Sequence, residues 1–302
     1  MIEPTLIVGF AAAAVRVGTP LAIAAIGESI AEKSGVINLG IEGAMLAGAF
    51  AAAVGASYAG AGVGVLTAIA AGLIVASVFA AVAVGARADQ IITGTAVTLG
   101  ATGLTGLLAE RVLTGPALAL PTLSAVSLPL IDRIPFAGTV FFDQSLLTYA
   151  CYLLVPLASW LLWSRRFGLQ LRACGEAPAA AAAAGVRVAR VRTLAVLIGG
   201  GCAGLAGAAL VLAQVGTFTE RMTAGRGFIA ITIVALGRWN PWGVAAAALL
   251  FGAATALQYT FQAAGSHIPY QIFLALPYLL ALAALGVAVG RHRGPAALGQ
   301  PH

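Results

Sequence analysis

The sequence predicts an all-α, polytopic membrane protein of about eight to ten transmembrane helices. Composition is the first sign. Apolar residues make up 61% of the chain and charged residues only 9%, whereas about a quarter of the residues of a soluble domain are charged. Mean hydropathy is +1.00. Pattern is the second sign: the apolar residues fall in long runs without strand-like alternation, and about 20 of them make one bilayer-spanning helix. In lipid only helices and closed barrels pair all their backbone groups, so these runs read as helices. The 38 glycines, with abundant alanine, suit close helix packing in a membrane.

In chain order the candidate spans are 5–27, 41–58, 63–85, 91–110, 145–163, 193–214, 227–237, 242–261 and 270–290. The first has Glu3 ahead of its apolar run and no basic leader, so it reads as an uncleaved span. The run 227–237 is too short to cross alone and reads as a broken or re-entrant segment. One transmembrane domain, 1–302, accounts for the chain.

Charge sets the orientation. The connection 164–192 holds Arg165, Arg166, Arg172, Arg187, Arg190 and Arg192 against Glu176. Clustered arginines stay on the cytoplasmic side, so this loop is inside. Four segments after it return Arg291 and Arg293 to the inside and leave Arg238 there too. Five segments before it place the N-terminus outside; a sixth, from a split helix around 28–45, would place it inside. The proline-containing connection 110–144 then lies outside. Its apolar middle, 117–130, reads as a short surface helix, and the loop as a docking surface for an outer partner.

The first polar island is GESIAEKSGVINLGIEG, 27–43. Ionisable groups at membrane depth are costly and serve a pathway or pair with one another. Asn38 and Glu42 are four apart, so on one helix they share a face. Gly35, Gly40 and Gly43 let the backbone break or pack closely. Two readings stand. One is a discontinuous helix with Asn38, Glu42 and Gly43 on a substrate pathway. The other is an interfacial loop whose charges meet water and headgroups, and this one is favoured for Glu28, Glu32 and Lys33.

The inner loop holds Leu169, Leu171 and Ala173, then the alanine-rich 177–184. Pro178 suits a first helical turn and Gly185 a helix stop. A small helix with Arg172 and Glu176 on one side fits a groove in a partner protein; a lipid-surface helix would carry larger apolar residues. A third segment, GRGFIAITIVALGRWNP (225–241), reads as a glycine-flanked short helix. There Phe228 can stack on an aromatic substrate, or the helix is simply packed with Trp239 at the interface.

Other chemistries are excluded. The run Gly27-x4-Glu32-Lys33-Ser34 imitates a phosphate loop, but Glu32 replaces the second glycine and no strand precedes it. Gly199-x-Gly201-x-x-Gly204 spells a dinucleotide fingerprint inside an apolar helical run, which reads as helix packing. The chain therefore has no ATP site of its own. Cys151, Cys174 and Cys202 lack metal-ligand spacing, and His267, His292 and His302 all lie in the C-terminal quarter. No catalytic residue, cofactor or metal is expected. The formal charge of +6 sits at span ends, so it does not signal nucleic acid.

Four segments carry a family resemblance: 27–52, 171–192, 227–252 and 276–285. In order, they resemble the permease subunits of ABC importers for nucleosides, within the wider simple-sugar and branched-chain amino-acid permease group. The resemblance covers essentially the whole chain. The stretch 38–43, with Glu42, looks like the nucleoside branch, whereas ribose-type permeases carry an Asp-Leu-Ser-rich segment there. The resemblance implies a type II importer architecture with broken helices and a cytoplasmic coupling helix. That helix maps onto Arg172, Ala173, Gly175, Glu176, Ala180 and Gly185; Cys174 departs from a more usual bulky aliphatic.

It further implies a multi-pass subunit in the lipid of a bacterial plasma (inner) membrane, moving nucleosides by alternating access. The subunit is not an enzyme. Implied partners are an ABC ATPase subunit, a second homologous permease forming a heterodimer, and an extracytoplasmic substrate-binding lipoprotein. A simple-sugar permease is the alternative within this class. An ion-coupled secondary transporter with Glu42 as proton carrier is disfavoured, because such proteins place mid-span charges in both halves.

Overall fold

Alanine and glycine set the geometry of the bundle, because helices without side chains at a crossing approach backbone to backbone. The computed structural model describes residues 4–113, 120–127, 137–263 and 294–300, with isolated helical positions between 275 and 286. The elements are α1 (Pro4–Lys33), α2 (Ile41–Ala59), α3 (Ala61–Phe79), α4 (Gln90–Val112), β1 (Ala125–Ser127), α5 (Ala137–Phe141) and β2 (Asp143–Ser145). After these come α6 (Leu146–Ser164), α7 (Arg166–Glu176), α8 (Pro178–Ala183), α9 (Val188–Ala208), α10 (Arg226–Leu236) and α11 (Pro241–Ala263). α3 and α9 each continue into wider π-helical turns, Ala80–Gly85 and Ala209–Val215.

Among the described residues, seven helices are long and apolar enough to cross a membrane. α10, with 11 residues, is the short segment that the sequence predicts. The expected span 270–290 lies mostly outside the described residues.

α9 is the central post. Its apolar stretch is 72% buried, against 17% for α4 on the periphery. A Cβ on Gly204 would run into the Ala68 carbonyl of α3, and one on Gly48 would lie 2.6 Å from the Gly204 Cα. Gly207 meets the α2 backbone at Met45 in the same way. α2, α3 and α9 thus cross with nothing between their backbones. The Gly199–Gly204 run is helix packing, as its apolar setting implies.

Two expectations are corrected. No split helix forms around 28–45: α1 continues unbroken to Lys33, because Glu28–Lys33 are mostly good helix formers. The chain then turns at Gly35, whose φ of +92° suits glycine. Within 117–130, the described part is not a helix but the strand β1, antiparallel to β2 with Ala125 opposite Ser145. The last carbonyls of a helix lack partners within it, and here Gly216 and Leu212 accept from the amides of Leu120 and Leu123. That pairing holds the segment extended.

Among the described residues, five crossing-length helices precede α7, the count that goes with an outer N-terminus when the arginine loop is inside. One end of the bundle collects the inner turns. The Ile37 amide donates to Gln90 Oε1 at the head of α4, and the Ala297 and Gly299 amides donate to the Gly175 and Gly35 carbonyls.

Filling the central crossing should unseat it. Gly204→Val is expected to cost about 1–3 kcal/mol by overpacking, read as a lower melting temperature of the purified protein in detergent. Gly100→Ala, where a Cβ meets nothing within 4 Å, should leave melting unchanged.

Candidate pathway and coupling site

Glu42 lies in the first turn of α2, buried, and is the best-engaged acid of the polar island. Its Oε1 accepts the Gly225 amide at 2.9 Å and its Oε2 the Gly227 amide at 2.6 Å. These are the first amides of α10, unpaired within that helix, and a carboxylate there also favours the positive end of the helix dipole. The approach requires glycine. Gly225 holds φ +82°, and a Cβ on Gly227 would lie 2.6 Å from the Glu42 Cα. Gly43 seats α2 on α4, its Cβ position 2.9 Å from the Thr98 Cα.

Asn38 does not share a helical face with Glu42. It lies in the turn before α2, where its Oδ1 accepts the Gly40 amide at 3.0 Å, and a short side chain that closes its own turn competes with helix there. The structure therefore brings together Glu42, Gly43 and the start of α10, with Phe228 beside them and 44% exposed. The backbone N–H of Asn38 donates to Glu28 Oε1 at 2.8 Å.

Glu28 and Glu32 are corrected from interfacial to internal. They are 0% and 2% exposed, one helical turn apart on α1. Glu32 Oε2 accepts the Trp239 indole N–H. Glu28 Oε2 and Glu32 Oε1 have no hydrogen-bond partner among the described residues. The i, i+4 spacing of two acids among apolar neighbours was the signal for a buried pair. Nothing local in the sequence points to Trp239.

The coupling segment is two helices, not one. The chain breaks at Ala177 (φ −147°), Pro178 opens α8, and Gly185 at φ +84° follows its end. Glu176, Ala180 and Gly185 are exposed; Arg172 and Ala173 are half-buried. Gly175 is buried, because a side chain there would strike the Lys33 carbonyl at the end of α1. Arg172 lies 4.4 Å over the Trp163 ring at the foot of α6, a cation–π contact. Cys174 is buried on α7, and burial pushes its thiol up.

Arg192, by sequence one of the loop charges, is buried in α9. Its Nε donates to the Ser34 carbonyl at 3.1 Å and its Nη1 to the Gln300 carbonyl at 3.1 Å. Together with Gly175 and the C-terminal segment, it ties α7 to the turn that leads into α2. Among the described residues, no three His, Cys, Asp or Glu side chains gather to hold a metal ion.

An isosteric change at Glu42 isolates the clasp. Glu42→Gln keeps the shape but replaces one acceptor oxygen by a donor facing an amide. The expected cost is about 1–3 kcal/mol, measured as thermal stability of the purified chain, while Glu220→Gln, at an exposed site, should leave stability unchanged.

The family described as branched-chain amino acid transport system / permease component matches residues 10–285. The chain is 36% identical to the putative glucose ABC transporter permease protein TsgC13 of Haloferax volcanii, over 94% of this chain and 92% of that one. It is 33% identical to the guanosine ABC transporter permease protein NupQ of Bacillus subtilis, over 94% and 92%. It is also 33% identical to the nucleoside ABC transporter permease protein NupC of Lactococcus lactis, over 93% and 92%. Such permeases are transport components rather than enzymes, and they work with an ATPase and a substrate-binding partner. By this match and its apolar helices, the chain is a multi-pass plasma-membrane protein and belongs to the branched-chain amino acid transport system / permease component family.

Proposed function

We propose that this permease carries nucleosides inward, by alternating access powered by partner ATPases. The observation that carries the reading is its likeness, along nearly the whole chain, to permeases named for guanosine and for nucleosides. The 38–43 stretch, with Glu42, resembles the nucleoside branch as well. A simple sugar is the second reading, favoured by the relative named for glucose.

In this reading residues 1–302 act as one transmembrane domain. A second, homologous permease completes a heterodimer, and an outer lipoprotein delivers substrate. Arg172, Ala173, Gly175, Glu176, Ala180 and Gly185 form the ATPase coupling unit. The exposed alanines of α8, with Glu176 and Gly185, seat in the ATPase; Gly175 and Arg172 root the unit on α1 and α6. Asn38, Glu42, Gly43 and Phe228 belong to the pathway region: Asn38, Glu42 and Gly43 position its walls, and Phe228 offers a ring to the substrate. A push on α7 reaches the Lys33 end of α1 and the turn before α2, and the Glu42 clasp passes it to α10. Rigid seating is what lets such a push change access.

The test is uptake of labelled guanosine, cytidine and glucose into proteoliposomes holding this chain with its ATPase, second permease and binding protein. ATP-dependent nucleoside uptake is expected, and Glu176→Arg should lower it about tenfold or more by unseating the ATPase. Uptake unchanged with a catalytically dead ATPase would overturn the mechanism. Uptake of glucose alone would replace the substrate and keep the machine.

A further inference from the structure

The peripheral helix α4 is only 17% buried along its apolar stretch. Along one side of its outer half run Thr102, Gly103, Gly106 and Glu110, at spacings that share a helical face. The connection between α9 and α10 stands against that face with Glu220 and Arg221, and the two enclose a cleft of about 460 Å³. The Glu220 carboxyl carbon lies 3.9 Å from where a Gly106 Cβ would stand, while Gly103 opens onto empty space. The volume is that of a small-molecule site, which runs about 300–1,000 Å³.

Depth decides what the cleft can face. α4 starts at the coupling end with Gln90. At 1.5 Å per residue, Thr102 lies about 18 Å along the axis and Glu110 about 30 Å, close to the full hydrocarbon thickness. The cleft therefore runs from mid-bilayer to the outer edge. Acids and arginines at such depth face a water-filled cavity or a protein partner, because lipid contact is costly.

The wall is also held under strain. Arg221 and Ala224 take φ of +54° and +47°, conformations that persist only where the surroundings impose them and that gather at ligand clamps. The Glu42 clasp on Gly225 fixes the far end of this connection. A second polar cleft, lined by Arg16, Gln144, Ser145 and Gln214, carries a cation and no acid. The one between α1, α6 and α11 is lined by Val15, Ala22, Val155 and Leu249, an apolar wall.

We infer that this cleft is a substrate site for uncharged, hydroxyl-bearing ring compounds, and that it selects nucleosides over nucleotides. The inference rests on the nucleoside-permease reading. Carboxylates accept from sugar hydroxyls and ring amines, a guanidinium donates to ring nitrogens and carbonyls, and a threonine hydroxyl does both. The open space at Gly103 leaves room for a flat ring beside the Gly106–Glu220 contact. Glu110 and Glu220 outnumber Arg221, so a phosphate meets net repulsion.

The complete importer in proteoliposomes tests it. The three native cysteines are buried, so Gly103→Cys supplies one reactive thiol for a charged, membrane-impermeant maleimide. Labelling is expected, and it should be lost with guanosine and binding protein at saturation but not with guanosine monophosphate. Glu220→Gln should raise the guanosine KM about tenfold, the loss of one charged hydrogen-bond partner. No labelling, or labelling that guanosine leaves untouched in a complex that imports guanosine, overturns the inference. Equal protection by the monophosphate overturns the charge selection. If the complex imports glucose and not guanosine, the nucleoside reading fails separately; protection by glucose then still supports the cleft, and its lack overturns it.

Discussion

A carboxylate surrounded by hydrocarbon persists only where donors reach its oxygens, and Glu42 finds two such donors on the first turn of α10. This pairing joins α2 to a helix almost two hundred residues further along the chain (183 and 185 residues for the two bonds). It also solves α10's own problem, since the leading amides of a helix have no internal partners. α10 is too short to span the membrane, so its start is committed to the protein interior and needs an anion there. The positive-φ connection before it, and the cleft that connection lines, both depend on where α10 begins.

Close backbone packing makes the clasp possible. Gly227 and Gly43 let α10 and α4 approach the head of α2, as Gly48, Gly204 and Gly207 let α2 lie against α9. A bundle of larger side chains would hold these backbones apart and leave Glu42 short of its donors. The same economy appears at the coupling end. Gly175 lets α7 touch the last carbonyl of α1, and Arg192 bridges from α9 to the turn after α1 and to the C-terminal segment. The inner ends of α1, α7 and α9 and the turn into α2 are thus linked by one close backbone approach and by the Arg192 hydrogen bonds.

Much of this was legible in the chain. Hydrocarbon thickness dictates span length, so the seven long helices follow the apolar runs. The short α10, the proline-led α8 and the glycine at 185 were readable because each follows from local chemistry. What failed was non-local. The true end of α1 is not legible locally, because Glu28 and Glu32 look like loop charges until Trp239, 207 residues away from Glu32, donates to one of them. Arg192 looks like its loop neighbours until Ser34 and Gln300 supply its acceptors. Asn38 and Glu42 have helical spacing, but Asn38 closes a turn instead. The cleft residues were missed because Thr102, Gly103 and Gly106 read as ordinary span residues, and only the fold brings Glu220 and Arg221 to them.

The clasp can be measured directly by hydrogen exchange at residue resolution on the purified full chain. If Glu42 holds the start of α10, the Gly225 and Gly227 amides exchange slowly in the wild type and much faster in Glu42→Gln, while α9 amides at the central crossing stay protected in both. Equal exchange at Gly225 and Gly227 in the two proteins would contradict the account, because α10 would then keep its place without the carboxylate.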